Sequence, residues 1–290
     1  MTRKTNRYYN KQTTMNIDNL YPYAGNHAVQ NAIFVVEWAE PLKTDAMIAI
    51  NKLATKYKNL GLSHVQHQQM LEVNFEHMQM AAQEPRQTSR VSNQALSGIV
   101  FARPASVGEI SRSVTISRKN CMIAIPDYTR WADVFKDVES YLKIALEEVG
   151  STRPLTTIGL QYNDVFNWKD APSELDLRAV FSEKAFIPPN AFEQTGLWHL
   201  HHGYLENHSD PVPHSRVENI NVDMLDTAGE RIIQIVGSHR ASLREPLWQS
   251  HLKNKSVMLE VFTSLHKANK IMLGKLLTSQ VCEKIRLTTD

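Results

Sequence analysis

Cysteine and long apolar segments are scarce in this sequence of 290 residues. Cys121 and Cys282 are its two cysteines, too few for a framework of several disulfides, and such usage is typical of a reducing compartment. The sequence has no run of about 18 apolar residues that could span a bilayer, and residues 1–16 lack the apolar core of a signal peptide. We therefore expect a soluble, cytoplasmic protein without a membrane association.

An excess of charge of one sign is also missing. The 32 lysines and arginines are almost balanced by 30 aspartates and glutamates, for a formal net charge of +2, so the chain has no general attraction to nucleic acid. Basic residues cluster locally at Arg112, Arg118 and Lys119, which are the candidates for a nucleic-acid-binding surface at the rim of a sheet. Because such clusters are more often solvated faces, nucleic-acid binding is an alternative hypothesis here.

The motifs of the common catalytic classes are lacking as well. The sequence contains no serine in a Gly-x-Ser-x-Gly turn, no glycine-rich phosphate loop and no complete set of zinc ligands at the usual spacing. We accordingly predict no catalytic residue and no cofactor.

Segments of strand and helix periodicity do follow each other in a regular order. The first series comprises a strand at 32–38, a helix between 44 and 61, about four strands between 64 and 125, and a long helix at 129–150. The second series comprises a strand at 155–168, a short helix at 171–181, strands at 197–205, 217–225 and 232–238, and a helix at 256–279.

This order predicts the α+β class. We expect two similar halves, each an antiparallel sheet covered by a long helix, with the strand-helix-strands-helix order of TATA-binding-protein-like or helix-grip-like folds. The halves would comprise residues 27–152 and 153–290, packed as one unit, and follow a flexible N-terminal tail at 1–26.

Two polar clusters interrupt the apolar pattern. His199 and His201 lie on one face of a predicted strand at a spacing that can hold a divalent metal, and Asp223 would approach them if its strand pairs with theirs. A solvated sheet face explains the histidines more simply, so a metal-dependent hydrolase is a second alternative. Asn163 and Asp164 lie inside an apolar strand and indicate either a bulge, which we favour, or a pocket.

Three short segments suggest a family. They are Tyr128-Thr-Arg-Trp131 before a helix, Ile158-Gly-Leu-Gln-Tyr-Asn163 in a strand, and Leu265-His266 in the last helix. Together they resemble a sporadically distributed family of uncharacterised bacterial proteins of similar length, often encoded near mobile elements and defence genes. The resemblance covers roughly residues 28–277, although the family usually has Gly-Leu-Arg-Tyr-Ile-Asn where this chain has Gln161 followed by Tyr162 and Asn163. It implies an accessory or interaction protein and brings no catalytic residues.

These observations favour one leading function. We expect a non-enzymatic cytoplasmic interaction or accessory protein that binds a protein partner, and the resemblance implies a mobile-element or phage-defence system as its setting. Met258 and Phe262 lie beside the main apolar stripe of the last predicted helix, which favours a homodimer through that helix.

Overall fold

The computed structural model describes residues 16–70, 95–104, 110–150, 152–227, 229–248 and 256–289. Their strands are β1 (Leu20–Pro22), β2 (Val29–Trp38), β3 (His64–Met70), β4 (Ala95–Pro104), β5 (Ile110–Ser117), β6 (Asn120–Ile125), β7 (Leu155–Trp168), β8 (Trp198–His208), β9 (His214–Thr227) and β10 (Glu230–Leu247). Half of the strands, β2, β5, β6, β9 and β10, alternate buried and half-buried residues along most of their length, as expected of a sheet with one face against a core.

Two of the helices are long. α3 (Trp131–Val149) and α5 (Ser256–Leu276) present apolar stripes at helical spacing. The other α-helices of the described residues are α1 (Thr44–Asn51), α2 (Ala54–Asn59), α4 (Leu177–Val180) and α6 (Ser279–Lys284). Among the helices of the described residues, none is long and apolar enough to cross a membrane.

All ten strands belong to one antiparallel sheet. Its order is β3-β4-β5-β6-β2-β7-β10-β9-β8, and β1 pairs with the end of β7. The first strand of each predicted half joins the two parts, because β2 pairs with β6 on one side and with β7 on the other. Phe34, for example, lies between Ile123 and Leu160.

The predicted fold of two halves, each a sheet covered by its own long helix, is therefore wrong. An unpaired β2 or β7 edge would leave a row of backbone N–H and C=O groups without partners, and pairing the two strands removes both edges. The long helices also do not divide as predicted. α5 contributes Phe262 to the core cluster around β2 and β6, and Leu276 to the cluster under β9 and β10, so this one helix packs across the junction.

The predicted N-terminal tail lies only partly within the described residues, because residues 1–15 fall outside them. The remainder includes β1, where Leu20 is fully buried and pairs with Trp168. The predicted division of the chain after residue 152 stays a prediction.

Candidate functional site

One face of the sheet carries the described helices, and the opposite face is exposed to a greater degree. We call the latter the open face and define it by register on five strands. Its positions are Asn31, Ile33, Val35 and Glu37 on β2, Gln161 and Asn163 on β7, Gln234, Val236, Ser238 and Arg240 on β10, Val217, Asn219, Asn221 and Asp223 on β9, and His199, His201 and Leu205 on β8. They are half-buried or exposed, while their neighbours along β9 and β10 are buried.

Charge is sparse on the open face, and each charged group has a partner. Arg240 Nη2 lies 2.7 Å from Glu37 Oε2. Asp223 Oδ1 lies 2.5 Å from His199 Nδ1. The remaining positions carry amides, a second histidine, aliphatic groups and one hydroxyl, that of Ser238.

A network of amides crosses the junction of the two parts of the sheet. Asn163 Nδ2 donates to Gln30 Oε1 at 2.8 Å, and Gln234 Nε2 donates to Asn163 Oδ1 at 2.9 Å. These bonds link β2, β7 and β10 and hold the three side chains in defined positions on this surface.

The predicted metal ligands come together only in part. β8 does pair with β9, and the register places His199 opposite Asp223. His201 instead lies opposite Asn221. Within the described ranges, no group of three or more His, Cys, Asp or Glu side chains is arranged to hold a metal ion.

The three predicted nucleic-acid contacts do not form a common basic surface. Arg112 is buried on the helix side of β5, where its guanidinium pairs with Asp127 at 2.7 Å and also with Asp137. Arg118 and Lys119 lie beyond the other end of β5, in the turn to β6, and Arg118 donates to Leu96 O at 3.1 Å.

The helix side of the sheet contains a buried polar chain that the sequence analysis missed. Glu218 contacts both Arg216 and His239, and His239 Nε2 lies 3.0 Å from Asn269 Oδ1 on α5. Burial alone would raise the pKa of Glu218, but the hydrogen bond and charge of His239 and those of Arg216 bring that pKa below its usual value. Glu218 is therefore a paired buried carboxylate.

The sequence did contain a signal for these buried polar residues. Ile220, Val222 and Met224 occupy the buried positions of β9, and the same alternation puts Arg216 and Glu218 inside as well. Charged residues in the buried phase of a strand need partners, so this pattern alone predicts an internal ion pair.

Beside the polar chain is a cavity of about 200 Å³, which we call the Asp164 pocket. Its walls come from the start of β2, the loop before α3, β7, α5 and residues 285–288. Asp164 is 2% exposed, and its Oδ2 has no hydrogen-bond partner. Burial raises the pKa of this carboxyl from 3.8 to about 7.

The predicted bulge lies opposite Asp164. The β2–β7 register shifts between Val29, which pairs with Asp164, and Asn31, which pairs with Asn163. The extra residue is therefore Gln30 on β2. Both features anticipated for Asn163 and Asp164 occur here, the bulge on the partner strand and the pocket under β7.

Aromatic side chains build the inner wall of the pocket. Tyr162 Oη lies 2.9 Å from His266 Nδ1, and the His266 ring stacks on Trp131 with centroids 4.1 Å apart and an interplanar angle of 1°. Burial, followed by the charges of Lys270 and His239, lowers the pKa of His266 to about 4. His266 is thus a neutral imidazole at physiological pH.

The family segments identified in the sequence supply this wall. Tyr128 and Trp131 come from the first, Tyr162 from the second and His266 from the third. Comparison with models of known protein families gives no match, and no curated protein matches the chain. The family resemblance therefore stays a prediction.

Proposed function

We propose that this chain is a non-enzymatic binding protein that docks a protein partner on its open face. The observation that carries the proposal is the composition of that face, which combines amides, two of them held by hydrogen bonds, one hydroxyl and aliphatic side chains with three charged residues, each paired. The centres of protein–protein interfaces are likewise depleted of charge and satisfy their polar groups by hydrogen bonds.

The size of the open face supports the same function. Five strands about 4.8 Å apart, each spanning about seven residues at about 3.3 Å, cover roughly 24 by 23 Å, or about 550 Å². One partner in a standard interface buries about 800 Å². The open face is therefore of the size that a protein partner covers, and the matching partner surface would be uncharged and able to form hydrogen bonds.

The two alternative functions have less support. Binding to nucleic acid relies on lysine and arginine at phosphates, whereas the defined open face carries a single arginine, Arg240, which pairs with Glu37. A metal-dependent hydrolase needs at least three ligands, and His199 with Asp223 supplies two.

The cellular location of the protein and the system to which its partner belongs are also proposals. The free thiols of Cys121 and Cys282 support a cytoplasmic location, and the family resemblance supports a partner from a mobile-element or defence system. A homodimer through the last helix has less support, because Met258 and Phe262 are buried in the chain's own core.

The test compares two serine-to-arginine variants. Ser238 lies on the open face between Gln161 and Asn219, and Ser140 is exposed on α3. The tagged full chain is purified from the cells that produce it, co-purifying protein is identified by mass spectrometry, and binding is remeasured with both purified components. Ser238→Arg buries an unpaired charge in the interface, so we expect affinity to fall at least about a hundredfold, while Ser140→Arg binds normally.

Three outcomes would contradict the proposal. The partner could be retained by Ser238→Arg, it could be lost equally from both variants, or the co-purifying material could be nucleic acid that nuclease and high salt remove. Circular dichroism and thermal unfolding of both variants establish that a loss of binding is not a loss of fold.

A further inference from the structure

The Asp164 pocket has a carboxylate at its floor that no described group neutralises. Asp164 is buried on the helix side of β7, and its Oδ2 has no hydrogen-bond partner. The neighbouring hydroxyl of Tyr162 is engaged with His266. A buried carboxylate without a hydrogen bond or counter-charge is costly, so this oxygen is an open acceptor for an N–H group that enters the pocket.

The mouth of the pocket has the opposite charge. Arg130, Lys270 and Arg286 line it, and none of the three forms an ion pair with a carboxylate of the described residues. Lys270 Nζ donates to Thr288 Oγ1 at 3.2 Å, a neutral partner that leaves its charge uncompensated. The pocket is therefore negative at the floor and positive at the rim.

The volume limits the ligand to a small molecule. A protein cavity of about 150 Å³ takes up benzene, which has six heavy atoms. By that measure the pocket, at about 200 Å³, holds a molecule of roughly eight heavy atoms, with any further atoms extending past the rim. Tyr128, Tyr162 and Leu273 supply apolar surface between floor and rim.

We propose that the Asp164 pocket is a binding site for a small zwitterion of the amino-acid class, with its ammonium group at Asp164 and its carboxylate among Arg130, Lys270 and Arg286. The ammonium group donates hydrogen bonds to the unpartnered Oδ2 and supplies the missing counter-charge. The carboxylate is the complementary group for three cations that lack an acidic partner. This site lies on the helix side of the sheet and does not depend on the open face.

The affinity of this site depends on pH through Asp164. The titratable and charged groups that face it are His27 at the start of β2, Tyr128 and Arg130 before α3, Tyr162 on β7, His266 and Lys270 on α5, and Arg286 near the C-terminus. Burial lowers the pKa values of both histidines and raises those of both tyrosines. Asp164, whose pKa is about 7, is then the pocket group that changes charge most between pH 6 and 8, so affinity should rise over that range.

Isothermal titration calorimetry on the full chain tests the proposal with named probes. The twenty common L-amino acids are titrated at pH 8, and those that bind are compared with their N-acetyl derivatives, which lack the cation, and their amides, which lack the carboxylate. We expect both modifications to weaken binding about ten- to a hundredfold, since each removes a charge-assisted hydrogen bond.

Two aspartate-to-asparagine variants test whether Asp164 is the residue that binds the ammonium group. Asp164→Asn keeps the shape of the side chain and removes its charge, so we expect a similar ten- to hundredfold loss of affinity and no rise between pH 6 and 8. Asp223→Asn, on the open face, serves as the matched control and should bind as the unaltered chain does. Thermal unfolding shows whether the pocket variant is folded.

The proposal is overturned if no L-amino acid produces heat of binding, if the N-acetyl derivatives bind as well as the parent compounds, or if a folded Asp164→Asn protein retains the affinity and its pH dependence. Because Ser238→Arg leaves this pocket intact, its amino-acid binding should be normal. Failure of this site and failure of the open face as a docking surface are therefore observed separately.

Discussion

At the scale of single residues, Asp164 and His266 oppose each other in the dependence of stability on pH. Burial raises the folded-state pKa of Asp164 from 3.8 to about 7, so the folded state holds the proton more tightly than the unfolded state does. Stability from this group is fully present below about pH 4 and is lost as pH rises to about 7. The shift corresponds to about 4 kcal/mol.

His266 acts in the other direction. Its folded-state pKa is lowered from 6.5 to about 4, chiefly by burial, so the unfolded state binds the proton more tightly. Stability from His266 is present above about pH 6.5 and is lost as pH falls towards 4. Between about pH 4 and 6.5 the contributions of Asp164 and His266 to stability therefore change in opposite directions and partly cancel in the unaltered protein.

We predict that Asp164→Asn removes the opposing contribution of Asp164, so that the free energy of unfolding follows the pH dependence due to His266. Urea unfolding of this variant should show the free energy of unfolding increase from pH 4 to 6.5 more steeply than in the unaltered protein, together with a gain in stability at pH 8. An unchanged pH profile would mean that Asp164 is not buried as a charged group.

His266→Gln is the complementary change. It removes the ring that stacks on Trp131 and should lower stability at pH 7 by about 1–2 kcal/mol, while making stability decrease more steeply between pH 4 and 7. The same urea titrations measure both effects, and a parallel downward shift without a change of slope would argue against a lowered pKa.

At the scale of secondary-structure elements, the ends of two α5 side chains occupy the space that a side chain at Gly237 on β10 would need. A Cβ atom there would lie 2.5 Å from Asn269 Oδ1 and 2.7 Å from Met272 Cε. We predict that Gly237→Ala lowers the free energy of unfolding by about 1–3 kcal/mol, because α5 or its side chains must shift.

The control for this prediction is Gly196→Ala. A Cβ at Gly196 meets no atom within 4 Å, so urea unfolding should detect almost no change. Equal effects of the two substitutions would show that the packing of α5 against β10 is not what restricts position 237.

At the scale of the whole molecule, the pairing of β2 with β7 and the packing of α5 across the junction predict cooperative unfolding. Phe34 is fully buried on β2 and its ring lies 5.5 Å from that of Phe262 on α5. We predict that Phe34→Ala costs about 3–5 kcal/mol and lowers the protection of amides in β10 as well as in β2, measured by hydrogen exchange.

Val35 provides the matched control, since it lies next to Phe34 but on the open face. Val35→Ala should cost less than about 1.5 kcal/mol and leave the protection of β10 nearly unchanged. If Phe34→Ala left β10 fully protected, the two parts of the sheet would unfold independently, and the prediction that the chain packs as one unit would be wrong.

Local periodicity was sufficient for much of the secondary structure. The helix predicted at 129–150 is α3 (Trp131–Val149), and the strand predicted at 155–168 is β7 with the same bounds. The helix predicted between 44 and 61 is instead two helices, α1 and α2, separated by Lys52 and Leu53. At the interruption, Lys52 N–H donates to Ala49 O and Leu53 N–H donates to Ile50 O, tighter three-residue turns that the spacing of apolar residues does not indicate.

The sites were predictable only where a single pairing defines them. His199 and Asp223 meet because β8 and β9 are neighbouring strands joined by a short turn. The Asp164 pocket brings together residues from the start of β2, from β7 and from α5, which are remote in sequence. Asn163 and Asp164 gave a signal, as polar residues in an apolar strand, and that signal could not distinguish a bulge from a pocket.

The sequence by itself determined the order of most strands and of the two long helices, because this order follows from the spacing of apolar residues along the chain. Only the tertiary structure decided that β2 and β7 join all strands into one sheet, and that Asp164, Tyr162 and His266 share one cavity. The physical reason is that all strands offer the same backbone N–H and C=O groups, so these groups do not identify which strands pair. Which edges pair therefore depends on the burial and hydrogen bonding of the whole molecule.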